Sequence, residues 1–182
     1  MPHTHLTRGE ELVVLLDESG RPTGTAPKAT VHTADTPLHL AFSCWLLDDD
    51  GRVLLTRRAA VKRTWPGIWT NAFCGHPGPG EAMDDALHRR ARQELGTSVA
   101  PPQPALPDFR YRAVMDDGTV ENEVCPVFTS RLLAPLAPDP AEVDDVRWTS
   151  LPGLLDDVAR APAAYSPWLR EQLPRLVPLL AA

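Results

Sequence analysis

Cys74 and His76 stand two residues apart in the run Asn71-Ala72-Phe73-Cys74-Gly75-His76-Pro77. In an extended chain, residues i and i+2 point to the same face. A thiol able to move a proton and an imidazole able to hold a metal would therefore look into one cavity. Glu121 and Glu123 repeat the spacing in the otherwise apolar stretch 120–132. Two carboxylates on one face are costly to bury unpaired; side by side they raise a pKa or demand a cation. His32, His39 and His76 can supply neutral nitrogen. With Glu121 and Glu123 they form a His₃Glu₂ set suited to a borderline ion, Zn²⁺ or Mn²⁺. The competing reading is three structural histidines. Cys125 shares the carboxylate face and reads as a small core residue. His88 reads as exposed.

The segment behind the thiol carries a testable spacing. Gly75 is followed by Glu81, then by Arg89, Arg90, Ala91, Arg92, Gln93, Glu94, Leu95 and Gly96. This resembles the Nudix box, the loop–helix signature of pyrophosphate-handling enzymes. Two of its carboxylates are replaced, by Arg90 and Gln93; of positions 90, 93 and 94 only Glu94 keeps its carboxylate. Positions 90, 93 and 94 share a helix face at i, i+3 and i+4. Three carboxylates there would cage Mg²⁺, a hard cation that takes oxygen ligands. One carboxylate, an amide and a guanidinium do not, whereas a fixed cation at position 90 suits a diphosphate. The bland alternative is a solvated charged helix.

The elements that must position these residues follow from periodicity and turn chemistry. Strands are predicted over 11–17, 25–31 (carrying Lys28), 38–47, 53–57, 109–112, 120–132 and 146–149. Helices are predicted over 81–95, 151–160 and 167–180, the last interrupted by Pro174 and Pro178, with 99–107 a proline-rich connector. Strands around one central helix with two terminal ones give an α+β pattern. At 182 residues, 43% hydrophobic and 23% charged, one domain over 11–182 with a C-terminal helical segment is expected, preceded by a flexible stretch 1–10. The net charge of −6 and the lack of a basic stripe argue against nucleic acid as partner. No apolar run approaches a membrane span, and no signal peptide is evident. Three cysteines without framework spacing suggest a reducing compartment.

Several runs resemble type 1 isopentenyl-diphosphate isomerases: His32 to Thr36, Leu38 to Phe42, Thr56-Arg57-Arg58, Trp65-Pro66-Gly67, Trp69-Thr70-Asn71, Cys74-Gly75-His76-Pro77, Arg110-Tyr111-Arg112, Glu121 to Pro126 and Ser166-Pro167-Trp168. The resemblance implies a Nudix-like fold, a mixed β-sheet flanked by helices. It implies interconversion of isopentenyl and dimethylallyl diphosphate through a tertiary carbocation, with an acid and a base on opposite sides of the substrate and no water to trap the cation. It makes Cys74 and Glu123 that pair, with Tyr111 hydrogen-bonded to Glu123. It makes His32, His39, His76, Glu121 and Glu123 ligands of one Mn²⁺ or Zn²⁺. Glu94 and the Cys74 carbonyl would hold Mg²⁺ carried by the diphosphate; Lys28, Arg58, Lys62 and Arg90 would meet phosphate oxygens; Trp168 would lie against the carbon skeleton. A cytoplasmic monomer acting on a small diphosphate, with no membrane or nucleic-acid partner, is the matching expectation. Two rivals remain, a pyrophosphohydrolase and a non-catalytic metal-binding module. The lost carboxylates count against the first, and the intact Cys74 and Glu123 against the second.

Overall fold

The computed structural model describes residues 11–180; the flexible stretch expected at 1–10 lies outside the described residues. The chain runs β1 (Leu12–Leu16), β2 (Pro22–Pro27), β3 (His39–Leu40), β4 (Phe42–Leu46), β5 (Val53–Arg58), β6 (Trp69–Thr70), β7 (Phe73–Gly75), α1 (Met83–Leu95), β8 (Gln103–Leu106), β9 (Arg110–Val114), β10 (Val120–Val124), β11 (Val127–Ser130), β12 (Val143–Thr149), α2 (Leu151–Arg160) and α3 (Pro167–Leu180). The strands form three sheets, ordered β2-β1-β3-β10-β9, β7-β4-β11-β8 and β12-β5-β6. The β3–β10 and β4–β11 pairs are parallel and the remaining ladders antiparallel, an α+β arrangement with mixed sheets.

β4 lies between two apolar layers, so period 2 sorts its side chains. Phe42, Cys44 and Leu46 pack with Ala86, Leu87, Ala91 and Leu95 of α1. Trp45 packs with Leu169, Leu173 and Leu176 of α3 and with Leu151 and Leu154 of α2. Asp84 and Asp85 occupy the first turn of α1, where negative charge suits the helix dipole. Gly96 ends α1 at φ 59°; a Cβ there would lie 2.2 Å from the Ala137 carbonyl oxygen. A left-handed cap under such contact requires glycine.

Five differences from the sequence reading have physical causes. The long strands predicted over 38–47 and 120–132 are each two strands, because the chain passes from one sheet to another at Ala41 and at Cys125-Pro126. Pro126 has no N–H to donate and breaks the ladder. The passage is made side by side: Ala41 N–H donates to Val124 O at 2.9 Å and Ser43 N–H to Pro126 O at 3.1 Å. The 99–107 connector holds β8, an edge strand, where proline is tolerated. The second strand ends at Pro27, since the Val31 amide turns back to the Pro27 carbonyl, and Lys28 lies just past it. Finally, α3 runs unbroken through Pro174 and Pro178. Buried Trp168, Leu169, Gln172, Leu173 and Leu176 outweigh the roughly 3 kcal/mol that an interior proline costs.

Candidate active site

The junction of the first two sheets gathers the titratable residues. His39, Glu123 and Tyr111 stand opposite one another across β3, β10 and β9, so their side chains are cross-strand neighbours. His32 enters from the loop before β3 and His76 from just beyond β7. Their Nε2 atoms converge on one oxygen, Glu123 Oε1, at 3.9 Å for His32, 3.3 Å for His39 and 3.0 Å for His76. One ligand atom from each of the four lies within 4.8 Å of the others. The Nδ1–H of His39 donates to the Pro37 carbonyl at 2.9 Å, which leaves the Nε2 lone pair facing the cluster. The Nε2 atoms of His32 and His39 are buried without a hydrogen-bond partner, a costly state unless a cation fills the space. Three imidazoles and a carboxylate suit a borderline divalent ion, and the backbone acceptor behind His39 is the support such a ligand has. Burial pushes His76 down to about 4, toward the neutral form a metal takes.

The two carboxylates differ. Burial pushes Glu123 up, yet the His32, His39 and His76 imidazoles gathered on it, His76 hydrogen-bonded at 3.0 Å, hold it well below the ordinary carboxylate range. Burial and the neighbouring Glu123 charge raise Glu121. Glu121 is outside the close group of four. Tyr111 Oη lies 2.7 Å from Glu121 Oε2 and 2.9 Å from Glu123 Oε2, and its single proton serves one of them at a time. The expected fifth ligand thus reaches the cluster through a shared hydroxyl.

Cys74 sits across from Ser43 of β4. Its Sγ is 3.4 Å from Ser43 Oγ and 3.5 Å from Asn71 Oδ1. Burial pushes the thiol up to about 12, so it stays protonated at neutral pH. Asn71 is fully buried. Its Nδ2 donates to Cys44 O at 2.9 Å and Phe73 O at 3.0 Å, which commits Oδ1 to accepting. Trp168 Nε1 donates to that oxygen at 3.0 Å, so one amide ties the thiol to the indole. Trp168 is 2% exposed and has Trp65 and Tyr111 rings at 5.7 Å and the Arg58 guanidinium at 5.6 Å. Cys44 and Cys125 are buried free thiols.

A cavity of about 1370 Å³ joins these groups to a rim of charged side chains. Cys74, His32, His76, Glu121, Glu123, Tyr111 and Trp168 line it together with Lys28, Arg58, Lys62, Arg90 and Glu94; His39 stands behind, fully buried. Most of the cations are already paired. Lys28 donates to Glu11 at 2.6 Å and Lys62 to Glu142. Arg90 pairs with Glu94 and reaches Glu142 at 3.6 Å. Arg58 is held by neutral oxygen instead, with Nη2 2.8 Å from Thr64 O and Nε 3.1 Å from Trp65 O. The first glutamate and the arginine of the box brace the loop. Glu81 accepts the Gly78 amide at 2.8 Å and Arg89 Nε at 2.7 Å, and Arg89 Nη2 donates to His76 O at 3.1 Å. A Cβ at Gly75 would meet Arg90 Cγ at 2.6 Å and Phe42 Cζ at 2.7 Å, so the helix can approach only a glycine. Glu11 and Glu142, which neutralise the rim, carry no motif and were not singled out from sequence; neither were Ser43 and Asn71 as partners of the thiol.

Comparison with known proteins follows the same line. A NUDIX domain is matched over residues 37–174. The isopentenyl-diphosphate Delta-isomerase of Paenarthrobacter aurescens (strain TC1) is 58% identical over 167 residues, 92% of this chain and 91% of that protein. The isopentenyl-diphosphate Delta-isomerase of Clavibacter sepedonicus is 58% identical over 172 residues, 94% of this chain and 90% of that protein. Among solved structures, DR0079 from Deinococcus radiodurans superposes with a TM-score of 0.72 at 20% identity, over 91% of this chain and 99% of that one. The MutT protein from Methanosarcina mazei Go1 gives 0.63 at 19% identity, over 78% and 94%. These structural likenesses concern the fold alone.

Proposed function

The chain belongs to the isopentenyl-diphosphate Delta-isomerases within the NUDIX domain family, and from that premise we propose how its cavity moves a double bond between isopentenyl and dimethylallyl diphosphate. One observation carries the proposal. The Cys74 thiol, pushed up by burial, and the Glu123 carboxyl, held down by its imidazoles, open into one cavity whose rim carries Lys28, Arg58, Lys62 and Arg90. The diphosphate lies on Lys28, Arg58, Lys62 and Arg90, which exchange internal oxygens for phosphate oxygens. The five-carbon chain then reaches inward between Cys74 and Glu123. Cys74 gives its proton to the terminal alkene carbon, and positive charge develops at the tertiary carbon. The Glu123 carboxylate takes a proton from the carbon on the diphosphate side, which places the double bond there. One proton enters and one leaves the substrate, and the enzyme returns the proton from Glu123 to Cys74 before the next turnover. Tyr111 orients Glu123, and the Trp168 ring offers a π face to the cation while keeping water out.

His32, His39, His76 and Glu123, with Glu121 alongside, would hold one Mn²⁺ or Zn²⁺, and Glu94 with the Cys74 carbonyl would hold Mg²⁺ brought by the diphosphate. Bound there, the first ion supplies fixed positive charge beside the base and the second neutralises the diphosphate. We place the reaction in the cytoplasm, on a monomer acting on a small diphosphate without membrane or nucleic acid. Three unpaired thiols support the compartment. None of the described helices is long and apolar enough to cross a membrane.

The test is incubation of the purified protein with isopentenyl diphosphate and Mg²⁺, followed by NMR. Dimethylallyl diphosphate is expected. Release of orthophosphate would favour the hydrolase, and an unchanged substrate would sink both enzymatic readings.

A further inference from the structure

Behind Cys74, on the side away from the cavity, a chain of hydrogen bonds runs into α3. Trp45 Nε1 lies 2.8 Å from Gln172 Oε1, Gln172 Nε2 lies 3.0 Å from Ser43 Oγ, and Ser43 Oγ lies 3.4 Å from both Cys74 Sγ and Cys125 Sγ. All of these groups except Cys74 are buried to within 1%. The direction of each bond follows from which atoms can donate. An indole N–H only donates, so the Gln172 carbonyl must face Trp45. The Gln172 amide must then face Ser43, whose oxygen accepts. Cys125 Sγ has Ser43 Oγ as its hydrogen-bonding neighbour among the described residues, so its S–H proton goes to the second Ser43 lone pair. A hydroxyl with both lone pairs filled has its proton left, and Cys74 Sγ is where it can go. The opposite assignment would send the Ser43 proton to Cys125 and leave the Cys125 proton without an acceptor in the core, which is unfavourable.

Resting on the isomerase reading, we propose that Ser43, oriented by Gln172 of α3, is a positioning residue that donates its hydroxyl proton to the Cys74 sulfur. The bond occupies a sulfur lone pair and leaves the Cys74 proton free to turn from Asn71 Oδ1 to the substrate. When the S–H bond breaks and a C–H bond forms, the S–H electron pair stays on sulfur. The Ser43 hydroxyl already faces that developing negative charge. A donor aimed where charge appears strengthens in the transition state and not in the ground state, so it acts on kcat. Gln172 acts only through Ser43, and Cys125 fixes which way the Ser43 proton points.

Ser43→Ala should lower kcat about tenfold with KM within about twofold, the size of one hydrogen bond to a charged group. Gln172→Met should lower kcat less and melting temperature more, because it strands the Trp45 N–H. If Gln172 works through Ser43, the double variant loses no more kcat than Ser43→Ala alone. A kcat for Ser43→Ala within twofold of wild type, or losses that multiply in the double variant, would overturn the proposal. A second readout does not depend on the isomerase reading: the infrared S–H stretching band that disappears in Cys74→Ala. That band should shift in Ser43→Ala. If wild type failed to isomerise, the functional reading would fall while a shifted band upheld the hydrogen bond; an unmoved band would sink the hydrogen bond whatever the turnover.

Discussion

The Trp168 indole gives its N–H to Asn71 and presents its ring to the cavity beside Tyr111 and Arg58. Anchoring and cation stabilisation are therefore separable by substitution. Trp168→Phe keeps a π face and loses the N–H; Trp168→Leu loses both. Phe should retain partial activity, whereas Leu should lose kcat by about tenfold, or ~1.4 kcal/mol, beyond any loss shared with Phe. Equal losses, or losses that only track melting temperature, would make the residue a pure anchor. The metal cluster gives a second test. Co-purified metal should be about one equivalent per chain and drop sharply in His39→Ala, whose Nε2 has no other partner. Glu121→Ala should lower it less, since Glu121 reaches the cluster through Tyr111. Equal depletion in both variants would place Glu121 among the direct ligands. The residues brought together at the cavity were legible because thiol, imidazole and carboxylate are chemically distinctive and stand at fixed spacings. Ser43, Asn71 and Gln172 were not. A serine, an asparagine and a glutamine in mostly apolar stretches carry no signal until folding brings residues 43 and 172, or 71 and 168, together.

α1 approaches β7 so closely that residue 75 can carry no side chain, and the contact is with the Arg90 stem. Gly75→Ala should push either the Phe42 ring or Arg90 aside. We expect a stability loss of about 1–3 kcal/mol, typical of overpacking, together with weaker binding of inorganic pyrophosphate as Arg90 shifts. Denaturant melts and titration calorimetry measure the two effects; wild-type values for both would show that the helix gives way at no cost. The helix itself was legible from its box spacing and apolar face. What the sequence did not reveal was the two-step passage of β3–β4 and β10–β11 between sheets. Pro126 marks one break, but Ala41 marks nothing, and its break follows only from the parallel pairing with the neighbouring strand. That passage places His39 and Glu123 on one sheet and Cys74 and Ser43 on the next, so the thiol and the carboxylate meet across a seam. The uninterrupted α3 was misjudged for the opposite reason: local proline chemistry was legible, and the packing that overrides it was not.

Over the whole molecule the charge is −6, yet the cavity rim gathers Lys28, Arg58, Lys62, Arg63, Arg89 and Arg90. Its cations are held by internal carboxylates from far along the chain, Glu11 on Lys28 and Glu142 on Lys62 and Arg90. These partners lie 17 and 80 residues from the lysines they meet, with no motif to mark them, so only the fold exposes the pairing. Against the upward push of burial, Lys62 and Arg90 hold the Glu142 carboxyl below its ordinary value, so it remains ionised at neutral pH. On the proposed binding mode, a diphosphate reaching Lys62 displaces that carboxylate. Glu142→Gln keeps the shape and removes the competing charge. Inorganic pyrophosphate should then bind roughly tenfold more tightly at low salt, the size of one charge-assisted contact set free. The gain should shrink as salt screens the rim. Unchanged or weaker binding in titrations across a salt series would mean that Glu142 stays in place when the anion arrives and helps to position Lys62 for it.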